Sequence, residues 1–183
     1  MEIRTNFACV LFLLGSIVAL GQTANVDQGR LVGIAYINRF FGLTFTRPST
    51  LNYEATQSAM HPQDRAFVLT SARGKDQPGH VTSMMVLSAD RLSYYPPTQQ
   101  SATAYLSKME QDEKKDGYVL LQHQEEFVLG DSKWLRVDLQ KGPLRESLLV
   151  TIRRGFALVL IALSESEQDL DSMLHSAKLK FDN

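Results

Sequence analysis

The chain has 183 residues, 19 lysines and arginines against 20 aspartates and glutamates, and a formal net charge of -1. That balance excludes the basic surplus with which proteins attract nucleic acid or an acidic bilayer through overall charge. One cysteine in the whole chain excludes a disulfide framework and a cysteine-based zinc site.

A charged start, Glu2 and Arg4, leads into an apolar run from Phe7 to Leu20 that holds the lone Cys9. The run is shorter than the ~20 residues that span a bilayer and ends at small residues. Ala19 and Gly21 suit the positions three and one before a signal-peptidase cut, so residues 1–21 are expected to be a cleavable signal peptide, cut between Gly21 and Gln22, with Ala24 as the next choice. Cys9 has no apolar stretch ahead of it and is badly placed for lipid attachment. Residues 22–183 then form one exported domain, periplasmic or extracellular, without a transmembrane anchor or cysteine, stabilised by an apolar core.

Between Gly33 and Thr46 aromatic and β-branched residues predict two short strands, or one bent strand, entering the sheet, and Arg47-Pro48 ends them. Over 49–64 the spacing of Thr50, Leu51, Ala55 and Ala59 predicts a helix closed by Pro62. Ala66 to Ser71 and Val81 to Ser88 read as a wide hairpin around the polar connection Arg73 to His80. Tyr94-Tyr95-Pro96-Pro97 interrupts regular structure, since proline lacks a donor and biases its predecessor to extended geometry. A helix capped by Ser101 follows, with Ala102, Tyr105, Leu106 and Met109 on one face and Gly117 as its stop. The mixed charges of 110–116 read as its solvated end.

Strand character then dominates: Tyr118 to Leu129, Lys133 to Leu139, Glu146 to Ile152 and Phe156 to Leu163 predict an antiparallel meander, turning at Gly130-Asp131, Lys141-Gly142-Pro143 and Arg153-Arg154-Gly155. Leu135, Val137 and Leu139 alternate with Trp134, Arg136 and Asp138, which predicts one buried face and one amphipathic or wet face. Leu158 to Leu163 is apolar throughout, as in a central strand covered on both sides. The last helix is expected from the spacing of Ser164 and Glu167, with Leu170, Met173, Leu174 and Ala177 as its apolar stripe and Leu179 and Phe181 anchoring the tail.

In this order the residues Tyr36, Asn38, Phe41, Gly42, Leu43, Pro48, Trp134, Gly155, Leu174, Leu179 and Phe181 resemble the PsbP-like superfamily, over roughly Gly33 to Phe181. The resemblance implies an α+β fold, an αβα sandwich with a mainly antiparallel sheet covered by helices, used for docking. Members of that superfamily include an extrinsic photosystem subunit, a nuclear Ran-binding protein and many exported bacterial proteins without an assigned activity.

Candidate chemistry is sparse. Gly130-Asp131-Ser132 matches the short nucleophile motif of the GDSL hydrolases, yet it falls between two strands where Gly-Asp is ordinary turn chemistry. The Asp-x-x-His partner of those enzymes is missing, because Asp171 and His175 are four apart. His61, His80, His123 and His175 are scattered without metal-ligand spacing, and Glu125 and Glu126, as strand neighbours, point to opposite faces. No catalytic, metal or cofactor set is expected. Arg153 and Arg154 at a turn, and Tyr94 and Tyr95 as an exposed ledge, are the candidate interface residues. The expected role is a non-catalytic accessory or binding protein of the cell envelope, docking an unidentified protein or small ligand. The alternatives are an exported hydrolase using Ser132 and a structural subunit of an envelope complex.

Overall fold

The computed structural model describes residues 29–54, 64–74 and 83–182. The expected signal peptide and its cleavage point, His61, His80, Pro62 and the hairpin connection over 75–82 lie outside the described residues.

The architecture is α+β. A seven-stranded antiparallel sheet runs in the order β4 (Asn52–Tyr53), β5 (Ala66–Arg73), β6 (Met84–Arg91), β10 (Phe156–Ser164), β9 (Leu144–Arg153), β8 (Ser132–Lys141), β7 (Val119–Leu129). A second sheet of four strands has the order β1 (Arg30–Val32), β2 (Ala35–Asn38), β3 (Leu43–Thr46), β11 (Lys178–Phe181). The helices are α1 (Ala102–Lys115) and α2 (Glu167–Ser176).

The all-apolar strand β10 is the middle of the large sheet, as its sequence requires. Leu158, Leu160 and Ala162 point into a core shared with Leu170, Met173 and Leu174 of α2 and with Phe45 and Leu179 of the small sheet. Ala157 and Val159 point the other way, into a core shared with Tyr105 and Leu106 of α1. The period-two alternation of a strand sorts these residues between the two faces. The large sheet is therefore a middle layer, with α1 on one side and α2 together with the small sheet on the other.

Two expectations are corrected here and a third is narrowed. The hairpin of β2 and β3 does not enter the large sheet but builds the second one, where the tail strand β11 pairs with β3 from Lys178↔Thr46 to Phe181↔Leu43. The helix expected over 49–64 is not formed at its start, because Asn52 and Tyr53 pair with Arg73 and Ala72 of β5. The Trp134, Arg136 and Asp138 face of β8 is amphipathic and not wet: all three are buried, with β11 packed on the strand and Asp171 of α2 reaching Arg136.

The turns of the meander close as read, with Leu129 opposite Ser132, Lys141 opposite Leu144 and Arg153 opposite Phe156. Helix α1 starts where Ser101 accepts a hydrogen bond from the Ala104 amide. The cap of α2 is Ser166, not Ser164; its hydroxyl accepts from the Asp169 amide at 3.2 Å. Ser164 is still extended as the last residue of β10, and its hydroxyl instead accepts from the Ser166 amide.

Candidate functional site

Strand β7 is the edge of the large sheet, and two irregularities in its pairing with β8, between Leu120 and Gln122 and between Gln122 and Glu125, bend it. Bulges re-aim side chains. Here they bring Gln122 and Glu125 opposite Asp138 and Arg136, on the face where α2 lies. Between that face and α2 a groove of about 370 Å³ opens, with Leu121, Phe127 and Leu170 among its apolar lining and Glu125, Asp171 and His175 among its polar lining.

Its floor is a buried ion pair. The Arg136 Nε donates to Asp138 Oδ1 at 2.8 Å, and the same oxygen accepts from the Ser147 hydroxyl at 2.6 Å. Nη2 of Arg136 reaches Asp171 of α2 at 3.4 Å, and the guanidinium lies 5.1 Å from the centroid of the Phe127 ring. Above it Arg145 of β9 and Glu167 of α2 close a second strand-to-helix pair at 3.1 Å. Opposite charges thus tie the N-terminal half of α2 to the sheet through Glu167 and Asp171. With its charge held by two carboxylates and a ring, Arg136 is fixed in orientation.

The opposite face carries a second polar cluster. The hydroxyls of Tyr95 and Tyr105 both donate to Oδ2 of the buried Asp90, and Arg65 donates to Tyr95 while stacking on its ring at 4.2 Å. Burial, then the hydrogen bond to Asp90, raise the pKa of Tyr105 far above that of an ordinary phenol, so it acts there only as a donor. Farther along this face Glu146 is 5% exposed, and burial, then the nearby Glu113 carboxylate, push its pKa up to about 7.

The residues singled out in the sequence are dispersed. Tyr94 is 53% exposed, whereas Tyr95 is buried beneath Arg65, so the expected aromatic ledge consists of Tyr94 without Tyr95. Arg153 is stitched inward, donating to the carbonyls of Phe41 at 2.7 Å and Asp182 at 2.8 Å and lying over Phe181, while Arg154 remains exposed over Phe40. Ser132 opens β8 beside the turn, and among the described residues neither His123 nor His175 is hydrogen bonded to it. His175 instead shares a hydrogen bond with the Asp171 carbonyl. Glu126 pairs with Lys133 at 2.8 Å, while Glu125 turns into the groove.

The groove residues Arg136 and Asp138 were missed as a site by sequence reasoning, although the signal existed. Opposite charges two apart in a strand share a face, and the flanking Trp134 marks that face as buried. Among the described residues no three His, Cys, Asp or Glu side chains converge as a metal site, and no helix is long and apolar enough to cross a membrane.

No family model matches the chain, and no curated protein does. Solved structures do. The chain is similar to cyanobacterial PsbP (CyanoP) from Synechocystis sp. PCC 6803, at 15% identity and a TM-score of 0.49, over 83% of this chain and 98% of that one. It is also similar to LpqN of Mycobacterium tuberculosis, described as involved in cell envelope biogenesis, at 14% identity and a TM-score of 0.45, over 75% of this chain and 84% of that one. A third match is a protein of Bacteroides thetaiotaomicron VPI-5482, at 11% identity and a TM-score of 0.42, over 86% of this chain and 50% of that one. The PsbP-like likeness read from the residues thus meets a PsbP structure again, and at these scores the overlaps carry no argument about activity.

Proposed function

We propose that the chain is an exported, non-catalytic binding protein of the cell envelope that holds a small polar ligand or a segment of a partner protein in the groove between β7, β8 and α2. The observation that supports this reading is the groove itself, a concavity of about 370 Å³ with the Arg136–Asp138 pair at its floor. Ligand sites are concave and fix orientation with convergent polar groups, and here polar and charged side chains make up most of the lining, which favours a polar ligand. The floor charges engage one another and a ring, an arrangement suited to orienting a bound group. Export is supported by the apolar run 7–20 and its small-residue end.

The test is affinity capture of the tagged full chain from its host, with mass spectrometry of its N-terminus and of what co-purifies. The expected result is a start at Gln22 and a reproducible bound species that Glu125→Arg, at the exposed rim, removes and Arg154→Glu, outside the groove, retains. A start at Met1 would overturn export, and a species indifferent to Glu125→Arg would overturn the groove.

A further inference from the structure

The hairpin of β1 and β2 projects an apolar tip that nothing in the described fold covers. Leu31 and Val32 are each 51% exposed and Ile34 is 59% exposed. Leu31 stands opposite Tyr36 and Val32 opposite Ala35, so by alternation the two side chains lie on opposite faces of the hairpin, with Ile34 in the turn. A tip apolar on both faces is not matched by one flat docking surface; it calls for a medium that surrounds it.

The tip is also held. Gly29, at φ +71°, lies so close to Tyr36 that an added Cβ would sit 2.5 Å from its ring, which fixes the base of β1 on that ring. The Tyr53 hydroxyl reaches the carbonyls of Phe45 at 3.0 Å and Ile34 at 3.2 Å, tying the tip to β3 and β4. Apolar exposure on an anchored hairpin is pre-organised for insertion.

Below the tip stand two arginines. Arg30 and Arg39 line one cleft of about 160 Å³ with Gly29 and Ile37. Both are exposed, and among the described residues neither has an ion-pair partner. Arg30 lies two residues before Val32, about 7 Å back along the strand. Interfacial elements bury their apolar side roughly 5–10 Å into the boundary between headgroups and acyl chains. That depth would leave the Arg30 guanidinium level with lipid phosphates, and Arg39, farther back just past the end of β2 but on the same cleft, would reach toward the same layer with its long side chain; planar forks suit phosphate.

We infer that the β1–β2 hairpin is a membrane-docking element: Leu31, Val32 and Ile34 enter the interfacial layer of an anionic bilayer, and Arg30 with Arg39 holds a lipid phosphate. The occupant is lipid because the apolar tip and the paired cations complement the two layers of a bilayer surface in the right order. The net charge of -1 hides this pair, since it averages over the whole chain. The inference is independent of the groove on the other edge of the molecule.

The experiment places a reporter on the tip of the full chain. Ile34→Trp adds an indole to a protein whose one tryptophan, Trp134, is already 1% exposed. A local reporter separates the tip from any binding by the apolar run 7–20. Titration with phosphatidylglycerol vesicles is expected to shift the added indole's emission to the blue and to let lipids brominated near the top of the acyl chain quench it. The pair Arg30→Gln and Arg39→Gln is expected to raise the lipid needed for half-shift roughly tenfold or more at low salt. An emission that stays that of a water-exposed indole would overturn the inference, as would a shift unchanged by the arginine pair. A shift that grows with protein concentration and without lipid would replace lipid by a second copy of the chain.

Discussion

Glu146 concentrates the electrostatics of the α1 face in one carboxyl. It is buried on β9, the Glu113 carboxylate of α1 opposes its ionisation, and a hydrogen bond from Tyr118 offsets only part of this. Its folded pKa of about 7 lies above the ordinary 4.5, so the folded state holds its proton more tightly than the unfolded chain. Stability from this group is therefore complete below about pH 4.5 and declines until about pH 7, where the loss levels off. A shift of that size corresponds to about 3 kcal/mol. Glu146→Gln, which keeps the shape without the charge, is expected to raise stability by roughly 2 to 3 kcal/mol at pH 8 and to change it little at pH 4. Urea unfolding of both proteins at the two pH values checks this, and an equal effect at both would show that Glu146 ionises freely.

A second residue-scale test uses two glycines with nearly the same backbone. Gly130 and Gly142 have φ of +62° and +60°, both in turns of the meander. At Gly142 an added Cβ meets nothing within 4 Å, whereas at Gly130 it would lie 2.2 Å from the Leu179 carbonyl oxygen. Gly142→Ala is expected to cost the left-handed penalty alone, about 1 kcal/mol. Gly130→Ala must also push β11 off the turn and is expected to cost at least about twice as much. Equal costs by denaturant unfolding would mean that the turn and β11 separate without resistance.

At the scale of elements, sequence patterns were read best where a strand or helix settles its own surroundings. The uniform apolarity of β10 gave its central place, and the stripe Leu170, Met173 and Leu174 gave the buried face of α2. The cap of α2 was less legible, because Ser164-x-x-Glu167 and Ser166-x-x-Asp169 have the same spacing, and pairing of Ser164 with Arg145 of β9 decides between them. Ser166→Ala is expected to cost about 1 kcal/mol and to fray the first turn of α2, read as faster amide exchange there. Because that turn carries Glu167, the partner of Arg145, and leads into Asp171, the partner of Arg136, the same change loosens one wall of the groove. The groove itself was not legible: it depends on two bulges in β7, and a bulge moves every later side chain to the other face without a mark in the residue pattern.

For the whole molecule, the question is whether two sheets make one folding unit. Their alternation, Leu43 with Phe45 and Leu179 with Phe181, announces strands but not partners, and β3 and β11 come from opposite ends of the described chain. Such pairing bears the closure cost of a long loop and is offset by what it buries. The burial is shared: Leu43, Phe45 and Leu179 lie in one core with Trp134 of the large sheet and with Met173 and Leu174 of α2. Leu179→Ala is therefore expected to lower global stability by about 2 to 5 kcal/mol, as for other fully buried leucines. The transition should remain single, with far-ultraviolet dichroism and Trp134 fluorescence coinciding, because the cavity opens in a core to which both sheets contribute. If the small sheet were a separate module, Leu179→Ala would melt it early and leave the main far-ultraviolet transition at its wild-type midpoint. The stacking of Phe181 on Trp134, with ring centroids 6.4 Å apart, makes the fluorescence report directly on that joint. A membrane-docking hairpin carried by the small sheet and a ligand groove carried by the large one would then be mechanically continuous through this core, so that an event at either is felt by the other only as far as the two sheets unfold together.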